Sequence, residues 1–79
     1  MKLKSLREEC GFSQATLGVK LAEALGETRV RKYYQPRIAA YEAGRNVMSL
    51  PAAKAMVGVL NKGLRAARSR RRATLEDLL

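Results

Sequence analysis

Glycines divide this chain into short segments, and this division constrains its fold more than any other feature. Gly11, Gly26, Gly44 and Gly63 each follow apolar residues spaced three or four apart, as on one face of a helix. Glycine commonly ends a helix because it adopts the left-handed backbone conformation without steric cost. The pattern predicts helices over residues 2–10 and 14–25, a third opening near Gln35 and ending at Gly44, and a fourth from about residue 50 to Gly63.

Capping residues and prolines mark where these helices begin. Ser13 and Ser49 are good N-caps, because a serine oxygen accepts a hydrogen bond from a free backbone N–H of the first turn. Pro36 and Pro51 are tolerated in a first turn, where the N–H that proline lacks would have no partner. Residues 26–34 show no clean periodicity and are predicted to be a loop. We therefore predict an all-α fold of four to five short helices.

The charge of the chain is large and unevenly placed. Sixteen basic and seven acidic side chains give a net charge of +9 across 79 residues. The excess lies in two clusters, +4 over residues 29–45 and +6 over residues 62–72, whereas residues 1–28 are neutral. Clusters of this kind attract a polyanion, either a nucleic acid or an anionic membrane surface. A solvated basic surface that only favours solubility is the alternative.

The composition argues against an enzyme and against a metal site. There is no histidine, and the single cysteine, Cys10, forms neither an internal disulfide nor a zinc or iron ligand set. A chain this short has little room for an enclosed substrate pocket. No apolar run approaches the length of a bilayer, and Glu8 and Glu9 stand where a signal peptide would be apolar. We expect a cytoplasmic protein with no cofactor, no small-molecule ligand and no membrane partner.

Three sequence segments in order resemble a known DNA-binding family. They are LREECGFSQ over residues 6–14, the Leu17–Leu21–Gly26 series, and RIAAYEAGR over residues 37–45. Together they are similar to the lambda-repressor-like, Cro-type helix-turn-helix family of bacterial and phage regulators, over about residues 3–61. The resemblance implies a compact helix-turn-helix domain over residues 1–63, in which the third helix reads the major groove.

The resemblance also implies roles for particular residues. Arg7 and Glu42 match positions that pair across helices one and three and support the fold. Ser13 and Gln14, at the start of helix two, and Arg45 and Asn46, after helix three, match phosphate-contacting positions. Gln14 also matches a glutamine that braces the recognition helix. The outward residues of helix three are expected to read bases, because arginine pairs with guanine, glutamine pairs with adenine, and alanine contacts the thymine methyl; these residues are Gln35, Pro36, Arg37 and Ala40.

The chain departs from the family pattern between helices two and three. Leu17 and Ile38 lie 21 residues apart, whereas about a dozen separate the matching positions in the family. The resemblance thus implies an extended turn beside the recognition helix. Its cations and tyrosines are expected to contact phosphates or to reach the adjacent groove; they are Arg29, Arg31, Lys32, Tyr33 and Tyr34. In the alternative, Val30 and the two tyrosines fold back over the core.

The C-terminal segment, residues 64–79, is predicted to be a basic helix or arm. Three interpretations stay open: an arm that tracks DNA, a dimerisation helix whose leucines meet their twofold mates, and a solvated tail. A terminal LEDLL sequence with nothing to pack against would expose three leucines, which favours a mixture of the first two. The contacts expected on this basis are Leu64, Arg65, Arg68, Arg70, Arg71, Arg72, Leu75, Leu78 and Leu79.

The function expected from the resemblance is that of a transcriptional regulator from a mobile genetic element. It would bind double-stranded DNA as a homodimer on an inverted repeat and repress a promoter, its own included. Two alternatives use the same residues differently. One is a protein-binding antiactivator or antitoxin module on the same fold, and the other is a non-specific DNA or RNA binder that uses the basic tail and stacking tyrosines.

Overall fold

A computed structural model of the chain describes residues 2–26 and 31–78, with side chains from residue 35 onward in the second range. The described residues form five α-helices and no strand, so the all-α prediction is confirmed. The helices are α1 (Leu3–Cys10), α2 (Gln14–Ala24), α3 (Arg31–Glu42), α4 (Leu50–Ala66) and α5 (Leu75–Leu78). Arg29 and Leu79, both candidate contacts, lie outside the described residues.

Most of the predicted helix boundaries agree with the structure. Ser13 accepts a hydrogen bond from the Thr16 N–H at 3.0 Å, and Ser49 accepts one from the Ala52 N–H at 3.4 Å, so each serine caps the helix that follows it. Gly44 has a φ of 74° after α3, a left-handed conformation in which most other residues would be strained. These local signals fix helix ends without any help from tertiary structure.

The core lies between α4 and the other helices. α2 and α3 pack closely on each other, and α4 contacts α1, α2 and α5. Ile38 and Tyr41 of α3 point inward, as predicted. The largest fully buried side chains are aliphatic or methionine, and they are Leu3, Leu6, Leu17, Leu21, Ile38, Met56, Leu60, Leu64 and Leu78.

The start predicted for α3 was wrong. The helix begins at Arg31, four residues before Gln35, and Pro36 lies inside it. Proline inside a helix leaves the carbonyl four residues earlier, here that of Lys32, without its backbone donor. The prediction treated Pro36 as a first-turn signal, but the run before it includes arginine and lysine, which favour helix. The backbone of residues 31–34 therefore belongs to α3, and the link between the helices is shorter than the loop predicted over residues 26–34.

The end predicted for α4 was also wrong, because Gly63 has a packing role. An added Cβ at this position would lie 2.7 Å from the Phe12 ring and 2.9 Å from the Cys10 sulfur. Glycine thus lets the link between α1 and α2 approach α4, and the helix continues through it to Ala66. The domain boundary predicted at residue 63 falls inside this helix.

The segment after α4 folds back onto the domain, which corrects the expected dimer contacts. Leu64 and Leu78 are each 1% exposed and belong to the chain's own core, and Leu75 packs partly buried against it. Leu64 and Leu78 thus offer no surface to a twofold mate, whereas the contact expected of Leu75 stays a prediction. α5 returns to the beginning of α1, where the Lys2 N–H donates to the Asp77 carbonyl at 3.1 Å. Within the described part of the chain, no helix is both long and apolar enough to span a bilayer.

Candidate nucleic-acid interface

The Glu42 carboxylate joins α1, α2 and α3. Arg7 donates from Nε to Glu42 Oε2 at 2.5 Å and from Nη2 to Oε1 at 3.2 Å. Gln14, the first residue of α2, donates from Nε2 to Oε1 at 3.1 Å. A third Arg7 bond reaches the Phe12 carbonyl at 2.9 Å. The predicted Arg7–Glu42 pair is confirmed, and Gln14 extends it into a network that fixes the start of α2 to the end of α3.

This network is largely shielded from water, which affects the acidity of its members. The side chains of Arg7 and Glu42 are only 11% and 7% exposed. Burial raises the pKa of Glu42, but hydrogen bonds from Arg7 and Gln14 and the charges of Arg7 and Lys4 outweigh it, so this pKa lies below its ordinary value. On the other side of the pair, the hydrogen bond to Glu42 raises the pKa of Arg7. Both groups are therefore held in their charged forms at neutral pH.

The candidate base-reading residues lie together on α3. Gln35, Pro36 and Arg37 are exposed, in the turn that precedes the buried Ile38. Ala40 is half-buried and presents less surface than expected. Over residues 35–42, α3 thus has one face in the core. Its opposite face lies in solvent and is polar and basic at residues 35–37.

The candidate phosphate contacts are more scattered. Arg45 and Asn46 are exposed just beyond the C-terminal end of α3. The Ser13 hydroxyl lies at the start of α2, where it caps the helix and bonds to the Thr16 hydroxyl at 3.0 Å. Gln14 is half-buried with its amide on Glu42. The candidates Arg31, Lys32, Tyr33 and Tyr34 have their backbone in α3, and their side chains lie outside the described part of the structure.

The basic cluster after α4 is held in place by the fold. Arg71 donates from Nη1 to Glu9 Oε2 and to the Ser5 hydroxyl, each at 2.9 Å. Asn61 of α4 bonds both backbone groups of Ala73, accepting from its N–H at 2.7 Å and donating to its carbonyl at 3.0 Å. Arg65, Arg68, Arg70 and Arg72 are exposed. Most of the cluster therefore lies in an ordered return loop, residues 67–74, and not in a solvated tail. Its expected contact with DNA stays a prediction.

Sequence reasoning found one of the two residues that organise these surfaces and missed the other. It expected Gln14 to brace the recognition helix, and the bond from Gln14 to Glu42 of α3 agrees with this, although Glu42 was not named as its partner. It gave Asn61 no role. No local pattern reveals that role, because Asn61 meets Ala73 only after the chain has reversed direction.

A groove lies between α2 and α4, with a volume of about 900 Å³. Phe12 and Cys10 contribute apolar surface to it, and lysines stand at its edge. The Lys20 ammonium lies 5.1 Å from the centre of the Phe12 ring. Cys10 donates its thiol to the Leu60 carbonyl at 3.4 Å, and burial, with the charge of Glu9, raises the pKa of this thiol. The cysteine is thus protonated at neutral pH and acts as a small apolar residue.

The described residues contain no cluster of three histidine, cysteine or carboxylate side chains that could hold a metal ion. No family model, no curated protein and no solved structure matches this chain.

Proposed function

We propose that this protein is a sequence-specific regulator that binds double-stranded DNA, with α2 and α3 as a helix-turn-helix and α3 in the major groove. The Glu42 network carries the proposal. It fixes α3 against α1 and α2 through a shielded, charged contact, and a reading helix has to be held in one orientation to distinguish bases.

The exposed side chains of α3 have chemistry suited to base edges. Arg37 presents a planar set of donors that matches guanine O6 and N7, and Gln35 matches adenine N6 and N7. Ile38 and Tyr41 occupy the core, so the opposite face of the helix is the one available to a groove. Arg45 and Asn46 lie at the far end of α3, where phosphate contacts would set its register.

A single reading helix contacts too few base pairs for genomic selectivity, so we propose a homodimer in the cytoplasm on an inverted repeat. Its half-sites would be spaced by about one helical turn, roughly 34 Å. Leu64 and Leu78 are buried within the chain and Leu75 is partly buried, so the twofold contact needs another apolar surface. Val47, in the link before α4, is 93% exposed, and Leu50, the first residue of α4, is 51% exposed; they are the candidates. Repression would follow from occupation of a promoter.

The test is a selection of bound duplexes from a random-sequence library at physiological salt, where non-specific binding is weak. We expect enrichment of an inverted repeat. Arg37→Ala should weaken binding to the selected site by about 1–3 kcal/mol and relax the preference at one base position. Lys54→Ala is the matched control, because it removes one exposed charge from α4 and should leave the preference intact.

Two results would contradict the proposal. One is a folded protein that enriches no sequence, which would favour the protein-binding alternative. The other is an equal loss for Arg37→Ala and Lys54→Ala on every duplex, which would reduce Arg37 to a source of positive charge.

A further inference from the structure

The return loop and the end of α4 line a second basic site, an open concavity away from the exposed face of α3. It is a pocket of about 460 Å³. Four of its six lining residues are arginines, and the set is Asn61, Arg65, Ser69, Arg70, Arg71 and Arg72. We refer to these six residues as the arginine pocket.

The backbone of the arginine pocket is fastened at both ends. At its start, the Arg68 N–H donates to the Arg65 carbonyl at 3.0 Å and the Ser69 N–H donates to the Leu64 carbonyl at 2.9 Å. At its end, the Asn61 side chain holds both backbone groups of Ala73. In between, the Ser69 hydroxyl accepts from the Arg71 N–H at 3.1 Å. A run of basic residues would otherwise repel itself and extend, so the fold forces these charges together.

The positive charge of the pocket is mostly uncompensated. Arg71 has an ion pair with Glu9. For the described residues, no carboxylate lies within 4.0 Å of the guanidinium groups of Arg65, Arg70 or Arg72. Three guanidinium groups thus line one concavity with no carboxylate of the described residues paired to them, which is an arrangement suited to an anion. Guanidinium is also the group whose fixed donors best match phosphate oxygens.

The arginine pocket and the Glu42 network lie on different sides of α1. Ser5 and Glu9 are one helical turn apart and face the return loop through Arg71. Arg7 is two residues from each, so it points about 200° around the helix axis from Ser5, toward α3. A ligand in the pocket therefore sits across α1 from the end of α3.

We propose that the arginine pocket binds a phosphate group, held by Arg65, Arg70 and Arg72. The phosphate comes either from a nucleic-acid backbone or from a small phosphorylated molecule, and both present the same oxygens to the arginines. The proposal does not depend on base reading by α3, because it uses different residues on a different side of α1. If the source is DNA, the pocket is a second contact for the same polymer.

The first experiment is a calorimetric titration of the full chain with inorganic pyrophosphate at constant ionic strength. We expect saturable binding that becomes at least about tenfold weaker in Arg70→Ala/Arg72→Ala, because each missing bond to a charged group has a large effect. The control is Lys54→Ala/Lys62→Ala, which removes the same charge from positions outside the pocket and should stay within about twofold of the wild type.

The second experiment uses random-sequence duplex DNA and measures affinity as a function of salt. If a backbone phosphate occupies the pocket, Arg70→Ala/Arg72→Ala should lower the slope of log K against log salt by about 1 for each phosphate that the variant no longer binds. If the ligand is a small phosphorylated molecule, the slope should stay at the wild-type value while pyrophosphate binding falls. Arg65→Ala, a change on α4 that leaves the loop sequence intact, repeats both measurements if the double variant does not fold.

The proposal is overturned if the pocket variants change neither pyrophosphate binding nor the DNA slope. It is also overturned if the lysine control is weakened as much as they are, because net charge would then explain both. Arg37→Ala and the library selection decide the α3 proposal separately, so each proposal can fail while the other stands.

Discussion

The α2–α3 unit and the C-terminal return segment (residues 67–78) are both basic surfaces, but they are anchored by different means. α3 is fixed by a carboxylate that is 7% exposed and that bonds to two other helices. The return segment is tied to α1 by the ion pair of Arg71 with Glu9, whose side chains are 40% and 36% exposed. Its firmest anchor is the neutral side-chain amide of Asn61. Two ion pairs with the same formal charges can therefore stabilise the fold to different extents, according to how far water reaches them.

The largest loss of folding stability is expected at Glu42. Glu42→Ala leaves Arg7 with no carboxylate in a shielded site and removes the acceptor of Gln14, so it should destabilise the fold by about 3 kcal/mol. Glu9→Ala removes the exposed partner of Arg71 and should cost less than about 1 kcal/mol. Chemical denaturation of both variants measures the difference. Equal losses of stability would contradict the comparison.

The same pair of variants should differ in acid. The pKa of Glu42 is lower in the folded protein than its ordinary value of 4.5, so its contribution to stability is present above that value. The contribution disappears as the pH falls through the lower, folded value. Denaturation series from pH 7 to pH 2 should therefore show a smaller acid loss of stability in Glu42→Ala than in Glu9→Ala, which keeps the Glu42 carboxylate.

An intermediate effect is expected at Asn61. Asn61→Ala leaves the N–H and carbonyl of the buried Ala73 without their side-chain partner, which should cost about 1–3 kcal/mol. The return segment should also open, and hydrogen exchange of its backbone amides would detect this. Lys62→Ala, a change at the next, exposed residue, is the control. If the backbone amides of the return segment exchange at the wild-type rate in Asn61→Ala, the Asn61 side chain is not the anchor of the segment.

The smallest change in folding stability is expected at Arg68, and it is a gain where the others are losses. Arg68 has a φ of 58° and ends α4 in the left-handed conformation that glycine adopts after α3. Arg68→Gly should remove this strain and stabilise the fold by about 0.5–1 kcal/mol. Arg68→Ala removes the same charge but keeps the strain, so it should give no gain. Thermal unfolding of the two variants separates them, and a gain in both would point to charge repulsion instead.

The sequence was most informative where the signal is local. Ser13 and Ser49 cap the helices that they were predicted to cap, and Ile38 and Tyr41 face inward as the spacing indicated. The Arg7–Glu42 pair was also predicted, but through the family resemblance and not through periodicity.

The errors came from residues whose local preference is overridden by tertiary contacts. Gly63 is typical of a helix end, yet its role is to make room for Phe12 within a continuing helix. Leu64 and Leu78 were interpreted as an unsatisfied apolar surface, yet they complete the core once the chain has reversed. At the reversal, Asn61 bonds to Ala73 and Arg68 has a positive φ, and no residue preference in this stretch predicts either feature.

The bond between the Lys2 N–H and the Asp77 carbonyl, supported by a 3.8 Å approach of the Lys2 ammonium to the Asp77 carboxylate, bears on how the chain folds. It closes a loop of nearly all the described sequence, and such closure carries a larger entropic cost than the local contacts within α2–α3. During synthesis, α1 emerges first, but this bond cannot form until Asp77 has left the ribosome. We therefore expect α2, α3 and α4 to associate early and the seam between α1 and α5 to close last.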